Sequence, residues 1–229
     1  MAAFIFDIDG TIIDSMPWHG KSWEVFFARH DLAYGGEAYL RRTAGRTGAE
    51  LMREQFGPLS DADAWAYVHE KEAIYRELFR PVFREIAGFR EFARRANAAA
   101  IRMACATAGD SDNIAFAMSG LGMASEFEAL VGAQDVAHGK PAPDLFLLAA
   151  QRMVVVPGEC IVFEDAPLGI EAARRAGMLA VAVTSSEPAA TLGAPAHVLA
   201  AIADYRGLDP LHVLELARRR MANPTETLA

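Results

Sequence analysis

Phe4-Ile5-Phe6-Asp7-Ile8-Asp9-Gly10-Thr11 decides how this chain is read. An apolar run of the kind a buried strand presents stops abruptly at two carboxylates. The alternation of an extended chain places Asp7 and Asp9 on the same side of it. Gly10 then lets the backbone leave in a conformation closed to other residues. Two adjacent acids repel unless a cation or a proton lies between them, so the pair is expected to share a hard divalent ion such as Mg²⁺.

Further apolar runs, each short, recur outward from that stretch at residues 101–106, 161–163 and 179–183, separated by helix-like sequence. Runs apolar at nearly every position suit strands covered on both faces, and strands alternating with helices imply a parallel sheet. The expected class is α/β, a Rossmann-like parallel sheet with helices on both faces, whose strand ends bind ligands. Crossover helices are expected from Gly88 to Ala100, from Asp112-Asn113 through Leu121, and from Pro143-Asp144 through Arg152. The exception is residues 16–81, where Trp18, Trp23, Phe26, Tyr39, Ile74 and Phe79 keep a helical period and no strand is evident. Gly35-Gly36, the Gly45 to Gly48 stretch and Gly57-Pro58 divide it, which predicts a small inserted helical bundle with hinges near Pro17 and Pro81. The predicted organisation is therefore a core of residues 1–15 and 82–229 and a helical cap of residues 16–81. The polar tail at residues 222–229 is expected to fray.

A length of 229 residues accommodates one sizeable core with a smaller insert, and 52% apolar residues support a globular chain. A net charge of −8 argues against a broad nucleic-acid or anionic-membrane surface. No apolar run is long enough to cross a bilayer, and Met1-Ala2-Ala3 lacks the basic start of a secretory signal. The expectation is a cytoplasmic monomer or weak homodimer whose partner is a small molecule, without nucleic acid or membrane. Cys105 and Cys160 each fall in a strand-like run, as reduced and buried thiols do.

Three later positions join the opening pair. Thr107 follows a strand-like run, where a hydroxyl can bind an oxyanion or merely end the strand. Lys140 stands in Gly139-Lys140-Pro141-Ala142-Pro143-Asp144, a loop stiffened by two prolines. Only three of the 22 basic residues are lysines, which suggests a compact charge aimed at an anion such as phosphate, beside the plainer reading of a solvated loop lysine. Glu164-Asp165 ends another apolar strand; Asp165 is alternatively a helix N-cap ahead of Pro167. If these strands are neighbours in one parallel sheet, the acids, the hydroxyl and the amine converge. That constellation suits phosphoryl transfer, with a metal and a lysine neutralising the phosphate, one carboxylate attacking and another moving protons.

In these four motifs, taken in order, the chain resembles the haloacid dehalogenase superfamily. The wording around the last two is similar as well, through Pro141-Ala142-Pro143-Asp144-Leu145-Phe146 and Ala166-Pro167-Leu168-Gly169-Ile170-Glu171. The helical insert looks like the mobile cap of the subgroup that contains β-phosphoglucomutase and many sugar-phosphate phosphatases. The resemblance implies that Asp7 is a nucleophile forming an aspartyl-phosphate, and that Asp9 protonates the leaving group and then activates water. It also implies Mg²⁺ held by Asp7, the Asp9 carbonyl and Asp165, with Glu164 acting directly or through water. Phosphate contacts would fall to Gly10, Thr107, Ala108 and Lys140.

Asp9 together with Glu164-Asp165 favours phosphate chemistry over dehalogenation, since the superfamily's dehalogenases lack both the acid/base residue and the metal. His19 matches a hinge histidine of β-phosphoglucomutase, which keeps a phosphosugar mutase as the alternative. The cap loop Thr43-Ala44-Gly45-Arg46-Thr47-Gly48 has small residues where a mutase carries its distal phosphate clamp, with Arg46 displaced. The expected function is thus a Mg²⁺-dependent phosphatase of a small phosphomonoester, such as a sugar phosphate. A silent phosphate-binding module is the remaining alternative.

Overall fold

The computed structural model describes residues 2–193 and 195–223. Among these, six strands form one wholly parallel sheet: β1 (Ala3–Phe6), β2 (Arg102–Ala106), β3 (Ala129–Val131), β4 (Cys160–Glu164), β5 (Leu179–Val183) and β6 (Val198–Ile202). Their order is β3-β2-β1-β4-β5-β6, so the opening strand lies near the centre with its C-terminal end at the point where the strand order reverses. Ligands bind at that point in open α/β sheets. Helices α1 (Met16–Arg29), α2 (Gly36–Thr43), α3 (Gly48–Phe56) and α4 (Asp61–Phe79) follow β1 as the insert. The rest are α5 (Phe89–Ala98), α6 (Ser111–Leu121), α7 (Asp144–Arg152), α8 (Pro167–Arg175), α9 (Ala189–Leu192) and α10 (Pro210–Ala222).

Period-2 alternation gives the sheet two unlike faces. Phe4, Phe6, Met103, Cys105, Phe163, Val181 and Val183 face one way and pack with Phe89 and Phe92 of α5, Met118 and Leu121 of α6, and Val213 of α10. Phe6 stacks on Phe163 with centroids 4.7 Å apart, and Phe4 on Phe92 at 5.8 Å. The other face is smaller, with Ala3, Ile5, Ala104, Ala106, Val162, Ala180 and Ala182 under Leu145 and Phe146 of α7 and Ile170 of α8. Each fully buried large side chain contributes about 1.5–3 kcal/mol.

The insert has an apolar cluster of its own, from Trp23, Phe26, Phe27, Tyr39, Met52 and Ile74. The C-terminal end of α4 leaves that cluster: Tyr75 and Phe79 pack into the sheet-side core, beside Ile86 and next to Trp18. Pro17 lies in the first turn of α1, and Pro81 in a short 3₁₀ turn, Arg80–Val82. Two strands lie outside the sequence expectation, β3 and β6, both at sheet edges. The helix after β2 begins at Ser111 with Asp110 as its N-cap, one turn-residue earlier than expected, because the Asp110 carboxylate accepts from Asn113 N at 2.8 Å. Cys105 and Cys160 are free and buried. The tail expected to fray falls, from residue 224 on, outside the described residues.

Gly88, the N-cap of α5, has φ +82°, and a Cβ there would lie 2.8 Å from the backbone nitrogen of Arg206. Gly88→Ala is expected to cost about 1–3 kcal/mol from left-handed strain, with the backbone contact adding to it. Urea unfolding followed by circular dichroism reads this; an unchanged midpoint would contradict it.

Candidate active site

The strand proper ends at Phe6, but Asp7 N still donates to Phe163 O at 3.0 Å, so its side chain starts from the sheet's rim. Asp7 Oδ1 accepts from Lys140 Nζ at 2.6 Å. That lysine also donates to Glu164 Oε1, at the end of the neighbouring strand β4. Lys140 is 2% exposed; an ammonium so buried persists only with charged partners, and it has two. The second oxygen of Glu164 accepts from Ala166 N at 2.7 Å. Gly169 permits this, since a Cβ there would fall 1.9 Å from Glu164 Oε1.

Asp165 is aimed by hydroxyls from distant segments: Thr11 Oγ1 donates to its Oδ1 at 3.1 Å, and Ser186 Oγ to its Oδ2. Beside Ser186, Ser185 Oγ donates to Gly10 O. Gly10 has φ +75°, and a Cβ on it would sit 2.2 Å from Asp165 Oδ2. A glycine is thus needed twice over, for the turn and for the approach of the carboxylate. Asp165 is not a helix cap; Ala166 holds that position for α8. On the far side of β1, Thr107 continues β2 with its N–H on Val131 O at 3.0 Å, and its Oγ1 accepts from Gly109 N at 3.1 Å.

Asp9 faces a different set of partners. The chain turns after Asp7, so the strand alternation that placed the two acids side by side does not reach Asp9. Its Oδ1 accepts from Ser15 Oγ at 2.7 Å and Tyr75 OH at 3.1 Å, and His19 Nε2 lies 3.0 Å away. The imidazole contact is an electrostatic one rather than a well-aimed hydrogen bond, because the distance is short but the N–H direction is poor. Lys71 Nζ, 2% exposed, is 2.8 Å from His19 Nδ1. An ammonium only donates, so Nδ1 accepts and the ring proton belongs on Nε2, facing Asp9. The His19 ring stacks on Tyr75 at 3.8 Å. Ser15 precedes α1 without capping it; its hydroxyl is spent on Asp9.

These placements set the charges. Burial pushes the Asp7 carboxyl up to about 7 against the pull of Lys140, and Glu164 adds to the rise. Burial, with Glu164 and Asp7 nearby, raises Asp165 well above the usual carboxylate range. Burial would also raise Asp9, but the imidazole of His19 and the hydrogen bonds from Ser15 and Tyr75 hold it at about 2. Burial, Asp9 and Glu72 keep Tyr75 a phenol, able to donate. Three carboxylates, Asp7, Glu164 and Asp165, thus crowd around one lysine. That surplus of negative oxygen donors fits a hard divalent cation. Among the described residues, no three His, Cys, Asp or Glu side chains are grouped to hold a metal, and a set of two carboxylates and one carbonyl does not require it. Glu164, expected to act as a ligand directly or through water, has one oxygen on Lys140 and the other on Ala166 N, and so fixes the lysine.

A cavity of about 110 Å³ lies over this rim, between the core and the insert. Asp7, Asp9, Thr107, Ala108 and Asp165 line its floor, and His19, Trp23, Arg46 and Lys71 its roof. The loop before α3 closes one side: a Cβ on Gly139 would meet the Thr47 methyl at 2.5 Å. Lys140 and Gly10 lie behind the floor, reaching the cavity through Asp7 and Asp165. Arg46 reaches the roof with its guanidinium already on Glu54 Oε2, at 2.8 Å. Sequence reasoning missed Ser15, Lys71, Glu72, Tyr75, Asn113 and Ser186. The scarcity of lysine was the one signal pointing to Lys71.

A family model described as haloacid dehalogenase-like hydrolase matches residues 1–177. Fructose-1-phosphate phosphatase YqaB of Escherichia coli (strain K12) is 37% identical over 188 residues, covering 80% of this chain and 96% of that protein. β-Phosphoglucomutase of Bacillus subtilis (strain 168) is 30% identical over 196 residues, 82% of this chain and 85% of the mutase. Among solved structures, a HAD hydrolase of family IA, variant 3, from Entamoeba histolytica HM-1:IMSS superposes with a TM-score of 0.84 at 26% identity. It covers 95% of this chain and 100% of the other.

Proposed function

Since the chain belongs to the haloacid dehalogenase-like hydrolases, we propose that it is a Mg²⁺-dependent phosphatase of a small sugar phosphate, working through an aspartyl-phosphate on Asp7. The observation that carries this reading is Asp7 itself, buried at the rim of the central strand, with Lys140 Nζ 2.6 Å from its Oδ1 and Thr107 beside it on the cavity floor. Asp7, Asp165 and the Asp9 carbonyl would hold Mg²⁺, which when bound supplies charge neutralisation to the phosphate oxygens.

In the first half-reaction an Asp7 oxygen forms a bond to phosphorus while the bond from phosphorus to the sugar oxygen breaks. That oxygen takes a proton from Asp9. In the second half, Asp9 removes a proton from water, which attacks phosphorus and releases Asp7 and inorganic phosphate. Asp9 is held as an anion in the present arrangement, ready as the base. Its acid role requires a proton, and the Nε2–H of His19, 3.0 Å away, is placed to supply it while Nδ1 takes one from the Lys71 ammonium, which leaves the imidazole neutral and Lys71 an amine. Lys140 neutralises Asp7 in the resting state, and Thr107 offers its hydroxyl to a phosphate oxygen. The cavity lies between core and insert, so a sugar phosphate enters as the insert, acting as a cap, lifts from the core.

The mutase reading is supported by the likeness to a β-phosphoglucomutase, but a mutase grips two phosphates at once, and Arg46 is committed to Glu54. Incubating the Mg²⁺-loaded protein with a panel of sugar phosphates is expected to release inorganic phosphate, to stop with EDTA and to resume with added Mg²⁺. Conversion of β-glucose 1-phosphate to glucose 6-phosphate without phosphate release would favour the mutase. Release from no member of the panel would overturn both.

A further inference from the structure

The roof of the cavity carries two cations, and neither is free. Lys71 Nζ bonds His19 Nδ1 and also Glu72 Oε1, at 2.9 Å, while Arg46 is bound by Glu54. Glu72 lines the cavity too, with its side chain 12% exposed. Its other oxygen accepts from Asn113 Nδ2 at 2.8 Å, and Asn113 Oδ1 in turn takes Arg76 Nη1 at 2.7 Å. Burial would raise the Glu72 carboxyl, but Lys71, His19 and the Asn113 amide bring it below its ordinary value, so it is an anion at neutral pH. The wall facing the far end of a substrate therefore combines a fixed carboxylate acceptor with ammonium and amide donors, and among the described residues both of its lysine and arginine side chains are paired with an acid.

Resting on the phosphatase reading for the near end of the substrate, we propose that Glu72 is the specificity-determining residue for the far end. It accepts hydroxyl hydrogens of an uncharged sugar tail and turns away substrates that carry a second phosphate. A hydroxyl both donates and accepts, so it satisfies Glu72 while taking a hydrogen from Asn113 or Lys71. A second phosphate offers only acceptors and carries roughly −1.5 to −2 charge at neutral pH. It would meet Glu72 with nothing left over to neutralise it, which is selection by repulsion of the wrong ligand.

The test is a binding ratio, read by calorimetry in an Asp7→Asn background so that no ligand is turned over. Matched mono- and bisphosphates of a hexose and a pentose serve as probes. The monophosphate is expected to bind at least about tenfold more tightly than its bisphosphate, the order of effect for like charges brought together. Glu72→Gln should bring the two within about threefold, and Glu72→Asp, which keeps the charge, should preserve the preference. If Glu72 merely tied α4 to α6 through Asn113, the Gln variant would weaken both ligands alike and leave the ratio unmoved. An unmoved ratio, or a bisphosphate that binds the Glu72 protein as well as the monophosphate, overturns the proposal. Absence of phosphate release by the Asp7 protein would instead overturn the phosphatase reading, and leaves the binding ratio measurable.

Discussion

Asp7→Asn should lower the rate of phosphate release by at least about a thousandfold, the scale on which loss of a covalent nucleophile is felt. The amide has nearly the shape of the carboxylate, and Lys140 keeps Glu164 as a partner. One of three crowded carboxylates also disappears, and burial had already pushed this one up to about 7. The melting temperature should therefore hold or rise while activity vanishes. Phosphate release and thermal unfolding, measured on the same preparation, check the two halves separately. Substantial activity in the variant would remove Asp7 from the chemistry.

Lys140→Met has the opposite profile, because here activity and stability fall together. The substitution keeps an apolar stem and leaves Asp7 and Glu164 buried, 6% and 1% exposed, without their shared cation. Removing one partner of a buried charge group costs about 3–5 kcal/mol. Adding Glu164→Gln should recover part of that loss without restoring activity, since one orphaned charge is gone but the lysine is still missing. Denaturant unfolding of the single and double variants gives the comparison. Equal stability of the single variant and the parent would show that the buried ion pair holds nothing together.

The floor of the candidate site was its most legible part, because Asp7, Thr107 and Asp165 sit where apolar strands stop, and such stops are visible in one dimension. Asp7 and Thr107 follow β1 and β2, and Glu164-Asp165 ends and follows β4; the three strands are adjacent in the sheet. The strands that escaped notice had no such mark. β3 is three residues long, and β6 is alanine-rich, partly exposed and joined to β5 across a register irregularity. The roof was least legible. Tyr75 reads as a helical core position, and nothing local says that its hydroxyl reaches Asp9, 66 residues earlier. Likewise Ser185 meets Gly10 across 175 residues. Such partnerships depend on how α4 and the loop after β5 lie against the rim, which periodicity does not encode. Nor does the sequence show Glu164 turned toward the lysine, an arrangement for which Gly169 opens room.

The unlike faces of the sheet give the chain two regimes of tolerance to change. On the aromatic face, where Phe4, Phe6, Phe92 and Phe163 interlock, a shorter side chain leaves an unfilled hole. On the alanine face the helices α7 and α8 lie close over methyl groups, and any enlargement forces them away. Sequence drift is therefore constrained from below on one side of the sheet and from above on the other. The same strands carry both faces and lead directly into Asp7, Thr107 and Asp165, so both regimes bear on the candidate site. The evolutionary freedom of this protein is then greatest in the four inserted helices, which meet the sheet-side core through the end of α4 and Trp18 of α1.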